Sequence, residues 1–171
     1  MITLRRPLPE DEANALAFKQ EFIKHGENII NGSELLDQTD SYVQWLKSVT
    51  ENTDPKTVNP SWVVTDTYFA FDDAGRLVGV IDLRHDLNDF LKDFGHCGYS
   101  VRPSERRKGY ATKMLSLIRE RAAEAGMDRL QLSVERDNEP SVKTIIRNGG
   151  KYERSFEFEG EEADVYLIDL T

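Results

Sequence analysis

The strongest periodicity in the chain follows Gly109. Ala111, Met114, Leu115, Ile118 and Ala122 recur at i, i+3, i+4, i+7 and i+11, with Lys113, Ser116, Glu120 and Glu124 turned the other way. This spacing predicts an amphipathic helix that Gly126 stops. Earlier, Ile2 to Arg5 alternates like a short strand and is cut off by Pro7 and Pro9. Glu10, Asp11 and Glu12 suit a helix start, and Leu16, Phe18, Phe22 and Ile23 form its apolar side up to His25-Gly26. Ser33 is a candidate cap for a short helix at Leu35-Leu36. Asp40 or Ser41 is a candidate cap for the next, whose apolar side is Tyr42, Val43, Trp45, Leu46 and Val49.

Strand-like segments follow, the first rich in Val, Thr, Tyr and Phe. Trp62 to Phe71 and Arg76 to Arg84 predict two strands joined by an Asp72-Asp73-Ala74-Gly75 turn. Leu87, Phe90 and Leu91 suggest a helical turn, and His96 to Val101 a further strand. After the amphipathic helix, Leu130 to Val134 reads as a strand joined to the previous one by a parallel crossover. Pro140 opens a helix with Val142, Ile145 and Ile146 as its apolar side, ended by Asn148-Gly149-Gly150. Two strands, Lys151 to Phe158 and Ala163 to Leu170, turn at Glu159-Gly160-Glu161. The order predicts one α/β domain over 1–171, with a mixed, mostly antiparallel central sheet and helices on both faces.

Composition adds limits. At 171 residues and net charge −9, the chain lacks the broad basic surface of a nucleic-acid or anionic-membrane binder. No apolar run is long enough to span a membrane. The start, Met1 to Pro7, has no apolar signal core. The lone Cys97 cannot form an internal disulfide, and a cytoplasmic location is expected. No spacing suggests a metal site. Yet between Arg102 and Lys113 stand five basic residues, Arg102, Arg106, Arg107, Lys108 and Lys113, against the one acid Glu105. A basic loop running into a helix N-terminus presents unpaired N–H groups to a phosphate, and a small island fits a small polyanion better than a polymer. Gly109 would let the backbone approach the ligand closely.

These residues resemble the GNAT superfamily of acyl-CoA-dependent N-acyltransferases. The superfamily's phosphate loop, Gln/Arg-x-x-Gly-x-Gly/Ala, matches Arg106-Arg107-Lys108-Gly109-Tyr110-Ala111, and its downstream Asn-x-x-Ala/Ser matches Asn138-Glu139-Pro140-Ser141. The likeness runs from Thr3 to Leu170. Gly95-His96-Cys97-Gly98-Tyr99-Ser100-Val101-Arg102-Pro103 and Asn148-Gly149-Gly150 resemble a bacterial subgroup described only as acetyltransferases, which names a chemistry and not a substrate. The resemblance implies acetyl-CoA as donor, with no metal. It implies that Arg106 to Thr112 hold the pyrophosphate, that Tyr99, Ser100 and Val101 pair with the pantetheine arm, and that Asn138 and Ser141 face the cofactor.

The resemblance leaves the catalytic groups open. The general-acid tyrosine that many relatives carry seven residues after the Asn is Ile145 here, and the usual Phe after Gly149 is Gly150. Tyr99 or Tyr152 would have to substitute, or the thiolate leaves unaided. His96, at the start of the thioester strand, is the first candidate base. A water relayed to Asp82 or His85 is the second. His25 and Cys97 carry no pattern of their own. The partner expected is a small-molecule or peptide amine in a pocket from residues 26–60, 62–84 and Phe156 to Glu161, rather than nucleic acid or membrane, with a homodimer left open. The alternative function is an acyl-CoA-binding sensor or interaction module without catalysis, kept alive by Ile145.

Overall fold

A computed structural model describes all residues, Met1–Thr171. Its strands are β1 (Thr3–Arg5), β2 (Thr65–Phe71), β3 (Leu77–Arg84), β4 (Tyr99–Val101), β5 (Arg129–Glu135), β6 (Gly150–Phe158) and β7 (Glu161–Asp169). Its helices are α1 (Glu12–Lys24), α2 (Tyr42–Glu51), α3 (Tyr110–Glu124) and α4 (Glu139–Arg147). The strands form two antiparallel sheets, ordered β1-β2-β3-β4 and β5-β7-β6. This is a mixed α/β architecture with helices on both faces of the first sheet. On one face α1 and α2 bury Phe18, Phe22, Trp45 and Val49 against Phe69, Leu77 and Val80. On the other, Met114, Leu115 and Ile118 of α3 pack with Ile81, Leu83, Leu132 and Ile145.

The parallel crossover expected from β4 through α3 to β5 does not close as a ladder. The two sheets join through a single antiparallel bridge, Gly95 to Leu132. Gly95 has φ of +91°, and a side chain there would collide with the Gln131 carbonyl, so the joint requires glycine. The His96 N–H donates to the Gln131 carbonyl (2.7 Å) while the Arg84 N–H donates to the His96 carbonyl (2.6 Å). Beyond His96 the neighbours part: Asp82 N–H donates to the Gly98 carbonyl, and Tyr99, Ser100 and Val101 pair with β3 alone. The strand predicted over 96–101 is therefore shorter, because 95 and 96 serve as the hinge of the split.

Other expectations shift for local reasons. The inner stripe of α1 is Ala15, Phe18 and Phe22, so Leu16 and Ile23 lie exposed. Val43 of α2 and Ile146 of α4 also face outward. Ser41 caps α2 by accepting from the Gln44 N–H (3.3 Å), as expected. Ser33 caps nothing: a 3-10 turn begins at Leu36, and Ser33 is buried under α2. Asp89 to Phe94 form hydrogen-bonded turns, among them Gly95 N–H donating to the Leu91 carbonyl four residues back (3.0 Å), in keeping with the helical turn expected there.

Candidate active site

The site begins at the free edge of β4. Gly98, Ser100 and Arg102 face β3, through the bonds of Gly98 and Arg102 to Asp82 and Val78 and the pairing of Ser100 with Val80. Antiparallel alternation then turns the backbone groups of Tyr99 and Val101 into the split. The Val101 carbonyl accepts from Arg106 Nε (3.2 Å). The Tyr99 N–H and C=O and the Val101 N–H remain as an open strand edge. The Ser100 hydroxyl is turned elsewhere and donates to the Asn31 carbonyl (2.8 Å).

From Val101 the chain passes through a 3-10 turn (Pro103–Glu105) to Gly109, the N-cap of α3 at φ +81°. Arg107 also has positive φ, +65°. Together they turn the loop so that the N–H groups of Arg107, Lys108, Gly109, Tyr110, Ala111 and Thr112 bond to no acceptor in the protein. Six consecutive free donors at an exposed helix N-terminus match a pyrophosphate. Nothing lies within 4 Å of where a Gly109 Cβ would stand.

The basic side chains of the island are mostly engaged elsewhere. Glu21 of α1 accepts from Arg102 Nε (2.9 Å), the Ser104 N–H (2.8 Å) and the Ser104 hydroxyl (3.0 Å). Burial acts to raise the Glu21 pKa, but these donors outweigh it and hold the carboxylate below its usual range. Arg102 is buried and also donates to the Leu77 carbonyl. Arg106 forms a two-point ion pair with Glu27 (2.8 Å each), and Lys108 pairs with Glu105 (2.6 Å). These contacts fix the loop on α1. The Arg107 side chain stays unpaired.

The opposite wall is α4. Asn138 is its N-cap, with Oδ1 accepting from the Ser141 N–H (3.4 Å). The Tyr99 hydroxyl crosses the split to Ser141 Oγ (2.7 Å). Burial, the largest influence, pushes the Tyr99 phenol up to about 12, so it stays protonated at neutral pH. Ile145 is buried in the core, and its Cγ2 occupies the space that a Cβ on residue 150 would need. Such a Cβ would also press on the Ile145 backbone carbonyl, so Ile145 and Gly150, the two departures from the superfamily pattern, are in direct contact.

His96 stands at the hinge. Its Nδ1 accepts from the Gln131 N–H (2.9 Å), which places the ring proton on Nε2. Burial first, then the Arg84 charge, lowers its pKa to about 4. The ring is neutral, with its lone pair occupied. Cys97 is buried, and burial raises its thiol well above the usual range, which makes it inert. Tyr152 bonds to Ser155 (2.7 Å) on β6. Asp66 bridges His85 (2.8 Å) and Arg6 (2.7 Å). Trp62, Phe90, Phe94, Phe156 and Phe158 form a run of ring contacts, with Phe94 at 4.9 Å from Phe158; Trp62 and the two last phenylalanines belong to the segments expected to line the acceptor. The sequence pattern left one group of this site unseen. Glu34, on the loop before α2, lies against Asp82 of β3, and burial followed by the Asp82 carboxyl raises its pKa to about 9.

A family profile described as an acetyltransferase (GNAT) domain matches residues 2–151. The chain belongs to the GNAT acetyltransferase family. It is an acyl-CoA-dependent acetyltransferase with acetyl-CoA as the donor. Solved structures share this GNAT fold at low identity. The microcin C7 self-immunity acetyltransferase MccE, in complex with acetyl-CoA and AMP, is 18% identical with a TM-score of 0.71, covering 98% of this chain and 92% of that one. Mutant forms of the spermidine/spermine N-acetyltransferase SpeG from Vibrio cholerae are 15% identical with a TM-score of 0.69, covering 99% and 95%. The structure of yncA from Salmonella typhimurium with its cofactor acetyl-CoA is 16% identical with a TM-score of 0.68, covering 99% and 94%. No curated protein matches the GNAT chain significantly. No helix in it is long and apolar enough to cross a membrane.

Proposed function

We propose that the protein acetylates a primary amine by direct attack on the thioester of acetyl-CoA. The observation that carries this reading is the continuity of free donors: six N–H groups from Arg107 to Thr112 run on to the open edge at Tyr99 and Val101. When bound, acetyl-CoA supplies an acetyl group activated as a thioester. The loop N–H groups and Arg107 hold its pyrophosphate. The β4 edge takes the amide-bearing arm as an added strand, and Asn138 and Ser141 border it from α4. The Tyr99 N–H lies at the same edge to meet charge developing on the carbonyl oxygen.

Tyr99 is the proton donor to the leaving sulfur in this reading. Its hydroxyl stands in the split, protonated, and bonded to a neutral serine that can rotate. It replaces from β4 the acid that Ile145 cannot supply from α4. His96 does not take the amine proton, because its free nitrogen is already an acceptor and the ring resists protonation. An amine entering as its free base needs no strong protein base: the proton it sheds on becoming an amide passes to water, and the Tyr99 phenoxide left after protonation of the sulfur takes one back from water. The neighbour named for spermidine and spermine makes a polyamine a sensible first acceptor to try, beside peptide N-termini. The test is free-thiol release from acetyl-CoA with a panel of amines. Tight acetyl-CoA binding without turnover of any amine would establish the acyl-CoA-binding module instead.

A further inference from the structure

The loop between α1 and α2 lies directly on the start of β4. A side chain on Gly32 would collide with the Gly98 carbonyl, so the two backbones touch. Ser100 Oγ holds the Asn31 carbonyl from the same strand. The loop is strained: Glu34 and Leu35 have φ of +50° and +70° without being glycine. Trp45 Nε1 keeps it in place by donating to the carbonyls of Ser33 (2.9 Å) and Glu34 (3.1 Å). Asp37 adds a clasp by accepting from the Ile30 N–H (2.7 Å).

In this packing the Glu34 carboxyl is within hydrogen-bonding reach of Asp82, which burial and the Asp82 carboxyl register as a raised Glu34 pKa. Asp82 is fully buried, and its Oδ1 accepts from the Gly98 N–H at 2.6 Å. Its Oδ2 lies 3.3 Å from Arg84 without a well-formed hydrogen bond. Two carboxylates offer no donor to each other, so a bond between Glu34 and Asp82 requires one proton between them. The charged groups facing the pair are Arg84, also on β3, and the Cys97 thiol, which stays neutral. No hydroxyl donates to Asp82: the Thr67 Oγ1 of the residue paired with it on β2, and the Ser33 Oγ beside Glu34 in sequence, have no partner, so neither compensates a second negative charge.

We propose that Glu34 is a positioning residue for acetyl transfer: one proton shared with Asp82 locks the 30–37 loop onto β3, and the locked Asp82 fixes Gly98 and so the aim of the Tyr99–Val101 edge. The inference rests on the acetyl-transfer reading above. Loss of the shared proton sets two buried carboxylates against each other. The loop then lifts and β4 loses its clamp beside Tyr99.

Trp45 reports on the lock, because its indole N–H is bonded to the Glu34 carbonyl. In a Trp62→Phe background, Trp45 fluorescence is followed from neutral pH upward beside kcat/KM for acetyl transfer. Both are expected to change together near pH 9, the rate falling as the lock opens. Glu34→Gln, whose amide donates permanently to Asp82, should keep the neutral rate and lose both alkaline transitions. Glu34→Ala should lower kcat/KM by about tenfold at neutral pH, the kinetic equivalent of one lost hydrogen bond. Alkaline transitions that persist unchanged in Glu34→Gln overturn the inference. So does a Trp45 transition abolished by Glu34→Gln while the alkaline limb of the rate remains. A protein that acetylates no amine, yet shows the Trp45 transition in the parent and not in Glu34→Gln, overturns the acetyl-transfer reading and the catalytic purpose given to the lock, while the lock itself stands.

Discussion

Gly109 and Gly126 bracket the same helix, which makes them a matched pair. Gly109 has φ of +81° and Gly126 has φ of +86°, and at neither does any atom lie within 4 Å of where a side chain would begin. Valine at either position meets no steric neighbour and suffers only from the left-handed backbone, at roughly 1–3 kcal/mol. For a chain of this length that lowers Tm by about 2–12 °C, similarly in both variants. Their response to acetyl-CoA should differ. At a hundredfold excess over Kd, a ligand bound only by the folded state contributes about 2.7 kcal/mol. The same conversion makes that a rise of about 5–11 °C in the parent. Gly126→Val should keep the whole rise. Gly109→Val places a branched side chain among the free N–H groups of Arg107 to Thr112, or twists them out of line, and should lose most of it. The assay is thermal unfolding of parent and both variants with and without acetyl-CoA. Equal ligand shifts in the two variants would refute the assignment of the loop to the pyrophosphate. Widely unequal losses without ligand would refute the claim that both sites are sterically empty.

Three further outcomes follow from the same geometry. Tyr99→Phe removes the proton donor while leaving the ring packed, so kcat should fall by about 10²-fold or more with acetyl-CoA affinity retained; an unchanged kcat in single-turnover assays rejects the role. Gly150→Ala drives a methyl into Ile145 and should cost about 1–3 kcal/mol in chemical denaturation. Adding Ile145→Ala, which removes the colliding Cγ2, should make Gly150→Ala cost less than it does in the parent, and strict additivity in the double-mutant cycle would contradict a shared packing origin. For His96 the folded pKa, about 4, lies below the unfolded value of about 6.5. Its stabilising effect is therefore present above pH 6.5 and lost as pH falls towards 4, because the unfolded chain takes the proton first. The slope is at most about 1.4 kcal/mol per pH unit, reduced by water reaching the partly exposed ring. His96→Gln should flatten the acid limb of stability and leave the pH–rate profile near neutrality unchanged; a profile altered there would restore His96 as a base.

Much of the fold was legible because it rests on local periodicity. The stripe of α3 and the strands flanking the Asp72–Gly75 turn stand close to where the pattern put them, although the first begins at Thr65 rather than Trp62. The cap at Ser41 and the proline in the first turn of α4 follow the same local rules. What the pattern missed depends on contacts distant in sequence. Leu16 is as apolar as Phe18, but only the rotation of α1 against Phe69 and Leu77 decides that Ala15, not Leu16, goes inside. The lock between Glu34 and Asp82 had no visible signal. Glu34 looked like one more acid in a chain of net charge −9. It is set apart by a positive φ that no residue preference marks, and by a strand partner 48 positions away in a different element.

The basic island shows the same limit in the site itself. Five cations against one acid read as attraction for a small polyanion, and acetyl-CoA, the donor of the GNAT family, is one. The structure changes the means. Glu21 and Glu27 of the α1 end neutralise Arg102 and Arg106, and Glu105 neutralises Lys108. Were the side chains the main holders of phosphate, these acids would compete with the ligand at every contact. As clamps they make sense, because each ion pair ties the 102–108 segment to α1 or to itself and keeps the donors from Arg107 to Thr112 aimed outward. Backbone donors fixed in advance bind without first ordering long side chains, and a helix N-terminus adds its dipole. The affinity for acetyl-CoA should therefore fall less with salt than a count of five cations implies, close to what Arg107 and Lys113 alone would give. A steep loss of affinity with added salt, reduced by Arg106→Gln or Lys108→Gln as strongly as by Arg107→Gln, would show that the cations leave their glutamates to meet the ligand and that the backbone is not the principal holder.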